Sequence, residues 1–166
     1  MADKTPTPAD SVAPAASASP PAAPEELTTA PGYQVRRLQQ AYLAAWVRAV
    51  DRTLTGPQFA VLTTVRAYPG SDQSSLASAV ALDTSTMADL AQRLDKRGLL
   101  ERRTASTDGR RKLLYLTAEG ERALAAAETR VRELDERLLD KYDPADRERL
   151  LRELTSLADQ WEQLGA

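Results

Sequence analysis

The pattern from Gln73 to Thr117 constrains the fold of this chain more than any other feature. Apolar residues recur there at helical spacing, the spacing breaks at Leu82-Asp83, and it then resumes as far as Gly98. Two apolar, strand-like runs follow, on either side of the polar stretch Thr104–Gly109. This order predicts two short helices joined by a tight turn and then a hairpin, which is a winged helix-turn-helix.

Helical patterns flank this unit on both sides, so the predicted fold class is mainly α with a small β-hairpin. Thr55 and Pro57 suit the start of one helix, and Asp83 or Thr84 the start of another. The outer apolar stripes exceed what the small middle unit covers, which indicates N- and C-terminal dimerisation helices. The predicted helices are about 33–50, from Thr55 to Pro69, 73–80, 84–97, 118–141 and 144–164, and the predicted strands are about 99–103 and 111–116.

The first 32 residues differ from the rest of the chain. They hold seven of the ten prolines and many alanines, and no helical or strand period organises them. We therefore expect residues 1–32 to form a disordered Pro/Ala-rich tail, because too little apolar surface is available to offset the entropy of ordering. One folded domain, 33–166, is expected after it.

The composition excludes several classes of function. The chain has no cysteine and no histidine, which rules out disulfides, thiol redox sensing, a hydrolytic zinc site and a Ser-His-Asp triad. An enzyme that uses carboxylates or a lysine remains open, but no motif supports one. We therefore predict no catalytic residues, no metal, no cofactor and no enzyme. No apolar run reaches the length of a membrane span, and the N-terminus lacks a signal-peptide pattern, so a cytoplasmic location is expected.

Charge is distributed unevenly. The whole chain carries a net charge of −2, yet Arg93–Lys112 holds eight basic and three acidic side chains. Because phosphate contact depends on the local field, this segment indicates a nucleic-acid surface. A solvated charged face is the alternative.

The helix predicted at 84–97 has the composition of a DNA reader. Its first turn offers small hydroxyl side chains, and the face away from Met87, Leu90 and Leu94 carries long polar ones. Alternatively, the hydroxyl residues only cap the helix and the rest is solvated. The candidate DNA-binding residues of this helix are Thr84, Ser85, Thr86, Asp89, Gln92, Arg93 and Lys96.

The hairpin, termed the wing, supplies the other candidates. Asp108 and Arg110 are two residues apart, so the carboxylate is expected to orient the guanidinium toward a narrow minor groove. Arg111 and Lys112 are then placed to contact neighbouring phosphates. The alternative is that Asp-Gly turn chemistry forms an exposed hairpin whose charges only prevent aggregation.

Three segments carry a family resemblance: LTGPQFAVL, ALDTSTMADLAQRLDKRGLLERR and DGRRKLLYLTAEG. They resemble the MarR family of bacterial transcription regulators over about residues 34–164. The resemblance implies an obligate homodimer on the double-stranded DNA of a pseudo-palindromic operator, and a nucleoid-associated location. It places the recognition helix at Thr84–Arg97 in a major groove and the wing in a minor groove, within a DNA-binding lobe at about 55–117.

The dimerisation helices are then about 33–50 and 118–164. At 1.5 Å per residue, a helix over 118–141 is about 36 Å long. That length is close to the roughly 34 Å between half-sites one duplex turn apart.

A winged helix that contacts proteins and not DNA remains the alternative function.

The segment GYQVRRLQQAYLAAW is similar to the first helix of MarR regulators of aromatic-acid breakdown. The similarity implies a repressor released by a small aromatic carboxylate, with Arg36 as the anchor and Tyr42 and Trp46 as walls. Members that bind catechol-type acids can use a histidine near Tyr42, which this chain lacks. Alternatively, Arg36 is a surface arginine and the two aromatic residues belong to the dimer core.

Overall fold

The computed structural model describes residues 22–105 and 111–164, and this part of the chain is mostly helical with one antiparallel hairpin. The chain divides into two units, one through Arg37 and one from Leu38 onward. The elements are α1 (Glu25–Thr28), α2 (Pro31–Ala49), α3 (Gly56–Ala67), α4 (Gln73–Ala79), α5 (Thr84–Lys96), β1 (Leu100–Thr104), β2 (Lys112–Leu116), α6 (Ala118–Leu138) and α7 (Pro144–Leu164).

The start of the helical part differs from the prediction that the tail extends to residue 32. Residues 25–28 form α1, with Glu25 and Glu26 in its first turn, where the helix dipole favours negatively charged side chains. Pro31 opens α2, and its ring suits a first helical position. Residues 25–28 and the start of α2 are therefore helical although composition alone assigned them to the tail. Residues 1–21 of that tail lie outside the described part of the chain.

The helix-turn-helix is set by three side-chain caps. Thr55 and Gln58 form a reciprocal capping box at the start of α3, and Asp72 and Asp83 cap α4 and α5. Between α4 and α5 the chain turns through Ala81, whose φ of 53° lies in the left-handed region. The predicted break at Leu82-Asp83 is therefore a real turn, and the predicted fold class is confirmed.

The hairpin is part of a larger hydrogen-bonded layer. Leu100 pairs with Leu116 and Thr104 with Lys112, and Leu114 is fully buried on the inner face. The segment after α3 pairs with the outer edge of β2, since Gly70 N donates to Leu114 O at 2.8 Å and Leu114 N donates to Ser71 O at 3.1 Å. The sequence pattern indicated only a helix end at Pro69-Gly70. It gave no sign that the segment after α3 pairs with β2.

The core lies where α3, α4, α5, β2 and α6 meet. Its fully buried large side chains are Leu62, Leu76, Met87, Leu94, Leu100, Leu114 and Leu124. The predicted inner face of α5 shifts slightly, because Ala91 is fully buried whereas Leu90 is only partly buried. In α3, Val61 is fully buried and Phe59 is partly buried. A small buried side chain such as Ala91 allows α5 to pack closely against the core, which periodicity of large residues does not reveal.

The two C-terminal helices differ in how they are packed. Thr117 caps α6 by accepting a hydrogen bond from Gly120 N, and its hydroxyl donates to Gly98 O at 2.6 Å. α6 ends at Leu138, so its 21 residues span about 31 Å, less than the predicted 36 Å. α7 buries none of its residues against the rest of the chain.

Candidate nucleic-acid interface

The two sides of α5 have opposite character. Met87, Ala91 and Leu94 are fully buried and attach the helix to the core. Every candidate DNA-binding residue that the sequence placed on this helix is exposed, so the structure brings them together on one polar and basic surface. These residues are Thr84, Ser85, Thr86, Asp89, Gln92, Arg93 and Lys96.

The first turn of α5 is organised by Asp83. Its carboxylate accepts from Thr86 N at 2.8 Å, from Thr86 Oγ1 at 2.6 Å and from Ser85 Oγ at 2.5 Å. These hydroxyl donors hold the pKa of Asp83 well below its usual range, so the carboxylate is ionised at physiological pH. A hydroxyl has one hydrogen, so Ser85 and Thr86 present only lone pairs outward. In this arrangement they suit donor edges of bases, such as adenine N6 or cytosine N4, better than phosphate oxygens.

The basic side chains of Arg93–Lys112, the segment with eight basic and three acidic residues, serve two purposes. Arg97 donates to Thr53 O at 2.7 Å, and Arg103 pairs with Glu101 through two hydrogen bonds while stacking on the Tyr115 ring at 4.3 Å. Arg97 therefore connects the end of α5 to the segment before α3, and Arg103 packs across the hairpin. In contrast, Arg93 and Lys96 make no ion pair within residues 22–105 and 111–164. Their charges remain available to a polyanion.

Only two of the four candidate residues of the wing lie within the described part of the chain. Asp108 and Arg110 lie outside it, so their pairing and their contact with a minor groove stay predictions. Arg111 forms an ion pair with Asp72, Nη2 to Oδ2 at 2.6 Å, and Lys112 donates to Thr104 Oγ1 at 2.7 Å. Asp72 was not among the sequence candidates. A capping role for Asp72 after Pro69-Gly70 can be predicted from the sequence. Its approach to the wing depends on the pairing of Gly70 and Ser71 with β2.

The three candidate ligand residues belong to different units. Arg36 lies in the unit that ends at Arg37, with its guanidinium 5.5 Å from the centroid of the Tyr33 ring. Trp46 is only 3% exposed and its indole N–H donates to Leu54 O at 2.7 Å, so it is a core residue of the second unit. Tyr42 packs against Trp46. Its partial burial, and to a lesser extent the negative charge of Asp135, raise the pKa of the Tyr42 hydroxyl.

None of the helices within residues 22–105 and 111–164 combines the length and apolar character that a membrane span requires.

Comparison with known proteins relates this geometry to a family of regulators. Residues 54–112, which include the helix-turn-helix and the start of β2, match the model of the MarR family. Transcriptional regulator HosA of Escherichia coli O127:H6 is 35% identical over 116 residues, which cover 70% of this chain and 85% of that protein.

Solved structures of similar fold include bound forms. The PcaV transcriptional regulator from Streptomyces coelicolor, in complex with its natural ligand, is 37% identical, with a TM-score of 0.79 over 83% of this chain and 98% of that one. The transcriptional repressor CouR bound to a 23-mer DNA duplex is 29% identical, with a TM-score of 0.69 over 81% of this chain and 96% of that one. A second structure of CouR holds p-coumaroyl-CoA.

Proposed function

The chain belongs to the MarR family of transcriptional regulators, and from this premise we propose that it is a homodimeric, sequence-specific DNA-binding repressor released by a small ligand. The observation that carries the proposal is the exposed face of α5, where Gln92, Arg93 and Lys96 lie opposite a fully buried apolar face. Side chains of this length and type read base edges and phosphates in a major groove.

A protein-binding winged helix without a DNA role fits this surface less well. Such a module would need an apolar patch on the exposed side of α5. The exposed residues there are hydroxyl, amide and charged side chains. The surface chemistry therefore favours DNA over a protein partner.

The proposal of a homodimer is supported by α7. Its exposed apolar residues recur at helical spacing along one face, and they are Leu151, Leu154, Leu157, Trp161 and Leu164. α2 adds Leu43 at 40% and Val47 at 49% exposure from the same unit. Apolar faces of this extent on a monomer mark association, and a second copy related by a two-fold axis also matches a palindromic operator.

Titration with duplex DNA tests the proposed function. The purified protein is titrated with DNA from upstream of its own gene and with an unrelated duplex of equal length, at several salt concentrations. We expect selective binding of the upstream DNA, with an affinity that falls steeply as salt rises. Equal binding of both duplexes, or binding that ignores salt, would contradict the proposal.

Arg110→Ala is expected to weaken operator binding by about 1–3 kcal/mol, roughly 5- to 150-fold. The reason is that the proposed role of Arg110 is to enter the narrow minor groove, where the potential attracts a guanidinium. The dimer and the thermal midpoint should be unchanged, as checked by sedimentation and melting. Arg122→Ala is the matched control, because Arg122 lies on α6 in an exposed ion pair with Glu119. Unaltered operator affinity in the Arg110 variant would remove the wing tip from the mechanism.

The ligand is proposed to be an aryl carboxylate anchored by Arg36, through a bidentate charge pair. Binding of this ligand would favour a lobe spacing that does not fit DNA, with a coupling of about 1–3 kcal/mol. Titration of simple aryl acids such as benzoate derivatives, at fixed salt, should therefore weaken operator binding by roughly 5- to 150-fold. Arg36→Gln should abolish the response, whereas Arg37→Gln should retain it. Operator affinity that no aryl acid changes would contradict this part of the proposal.

A further inference from the structure

A polar cavity of about 260 Å³ lies beside the recognition helix. Residues from α4, α5 and the start of β2 line it, namely Asp72, Gln73, Ser74, Thr84, Ala88, Arg111 and Lys112. The cavity therefore joins the two elements that the proposed function assigns to DNA.

The lining of this cavity suits an anion. Arg111 and Lys112 bring two positive charges, and Ser74 and Thr84 bring hydroxyl donors. Asp72 is the only carboxylate among the described lining residues. A backbone phosphate has acceptor oxygens alone, so it matches every polar group of this lining except Asp72.

Asp72 already occupies the strongest of these donors. Its Oδ1 accepts from Ser74 N and Ser75 N at 3.1 Å each, and its Oδ2 accepts from Arg111 Nη2 at 2.6 Å. The Arg111 hydrogen bond, followed by that of the Ser75 amide, lowers the pKa of Asp72 to about 2. The carboxylate therefore stays ionised, and it accepts from Arg111 the same kind of charged hydrogen bond that a phosphate oxygen would accept.

We propose that this cavity is the seat of one DNA backbone phosphate, and that Asp72 acts as an internal anion that occupies Arg111 until the phosphate displaces it. The inference rests on the proposed DNA-binding function. Any duplex must compete with Asp72, because both anions use the same guanidinium. Asp72 therefore lowers the affinity of every duplex that places a phosphate in this cavity, and it weakens the salt dependence of binding because it offsets one positive charge.

Asp72→Asn tests the proposal, because asparagine caps a helix as well as aspartate and has the same size. We expect binding of an unrelated duplex to tighten about three- to tenfold at moderate salt. The slope of log K against log salt should steepen by about 0.9, the value for one additional phosphate contact. Operator affinity should rise by a similar factor, because both duplexes place a phosphate in the same cavity. Asp72→Ser, which also keeps a cap, should behave in the same way.

The Arg111→Ala background separates the proposal from a general effect of charge. Removing one carboxylate raises the net charge by one in either background, but only wild-type Arg111 can be released. In Arg111→Ala we therefore expect Asp72→Asn to leave the salt slope unchanged. Glu128→Gln, which breaks the remote pair with Arg66, is the matched ion-pair control and should leave both the slope and the affinity for the unrelated duplex unchanged.

Three results would overturn the inference: no change in slope for Asp72→Asn, weaker binding of both duplexes, or the same steepening with and without Arg111. Each of these outcomes leaves the proposed function standing, provided that the wild type binds its operator. Failure of the wild type to bind any DNA would instead contradict the proposed function itself. The two failures are therefore distinguishable in one set of titrations.

Discussion

Leu154→Asp in α7 is expected to separate the dimer and, with it, to abolish tight operator binding. Leu154 is 47% exposed on the apolar face of a helix that buries none of its residues within its own chain. In the proposed dimer this face is covered, so the substitution places an unpaired charge in an apolar interface. We expect a loss of about 2–4 kcal/mol in association, roughly 30- to 900-fold in the dimer dissociation constant.

Sedimentation velocity measures the association, and a mobility shift measures the consequence for DNA. A single half-site contact lacks the second recognition helix, so the loss of operator affinity should accompany the appearance of monomer. Ser156→Asp is the matched control, because it adds the same charge on the opposite side of α7 and should leave the dimer intact. A Leu154→Asp protein that remains dimeric would show that α7 is not the interface.

Gly120→Ala is expected to destabilise the fold strongly. A Cβ at Gly120 would lie 2.0 Å from the carbonyl oxygen of Leu99 and 2.8 Å from Leu116 Cδ2. The carbonyl belongs to the backbone that leads into β1, so it cannot move aside as a side chain would. We expect a loss of about 3 kcal/mol in the free energy of unfolding, or roughly 6–12 °C in the thermal midpoint.

The control for this variant is Gly32→Ala. Gly32 is also helical, but a Cβ there meets no atom within 4 Å. Alanine should therefore be neutral or stabilising at Gly32, by about 0.5–1 kcal/mol at most. Both substitutions improve helix propensity equally, so the difference between the two midpoints isolates the contact of α6 with the start of the hairpin. Equal midpoints would mean that α6 does not pack so closely there.

Features that depend on neighbouring residues were predictable from the sequence. The caps at Thr55, Asp83 and Thr117 follow from local chemistry, in which a short polar side chain accepts from an amide two or three residues later. The exposed and buried faces of α5 follow from its period. The order of the helical and strand-like patterns predicted the winged helix-turn-helix, and the family resemblance agreed with it.

Features that depend on approach in space were not predictable. Pro69-Gly70 indicates a turn, but the hydrogen bonds of Gly70 and Ser71 to Leu114 form only because α3 leads the chain along β2. The same approach brings Asp72 to Arg111, which are 39 positions apart in the sequence. For this reason Arg111 was predicted to contact phosphate directly, and the carboxylate that competes for it was missed.

The directions of individual hydrogen bonds were also beyond the sequence. Ser85 and Thr86 were predicted to bond either phosphates or bases, because a hydroxyl can donate or accept. Asp83 resolves this ambiguity by taking both hydroxyl hydrogens. Trp46 shows a similar limit: the sequence left it open as a ligand wall or a residue of the dimer core, and the structure buries it within its own chain, with its indole N–H bonded to Leu54 O.

A hydroxyl-radical footprint on the DNA upstream of the protein's own gene tests the central claim most directly. Two copies that each present α5 and the wing should protect two patches, related by two-fold symmetry and centred about one helical turn, roughly 34 Å, apart. Protection of a pseudo-palindrome in this pattern is the result we predict. A single protected patch, or uniform weak protection along the duplex, would contradict the account.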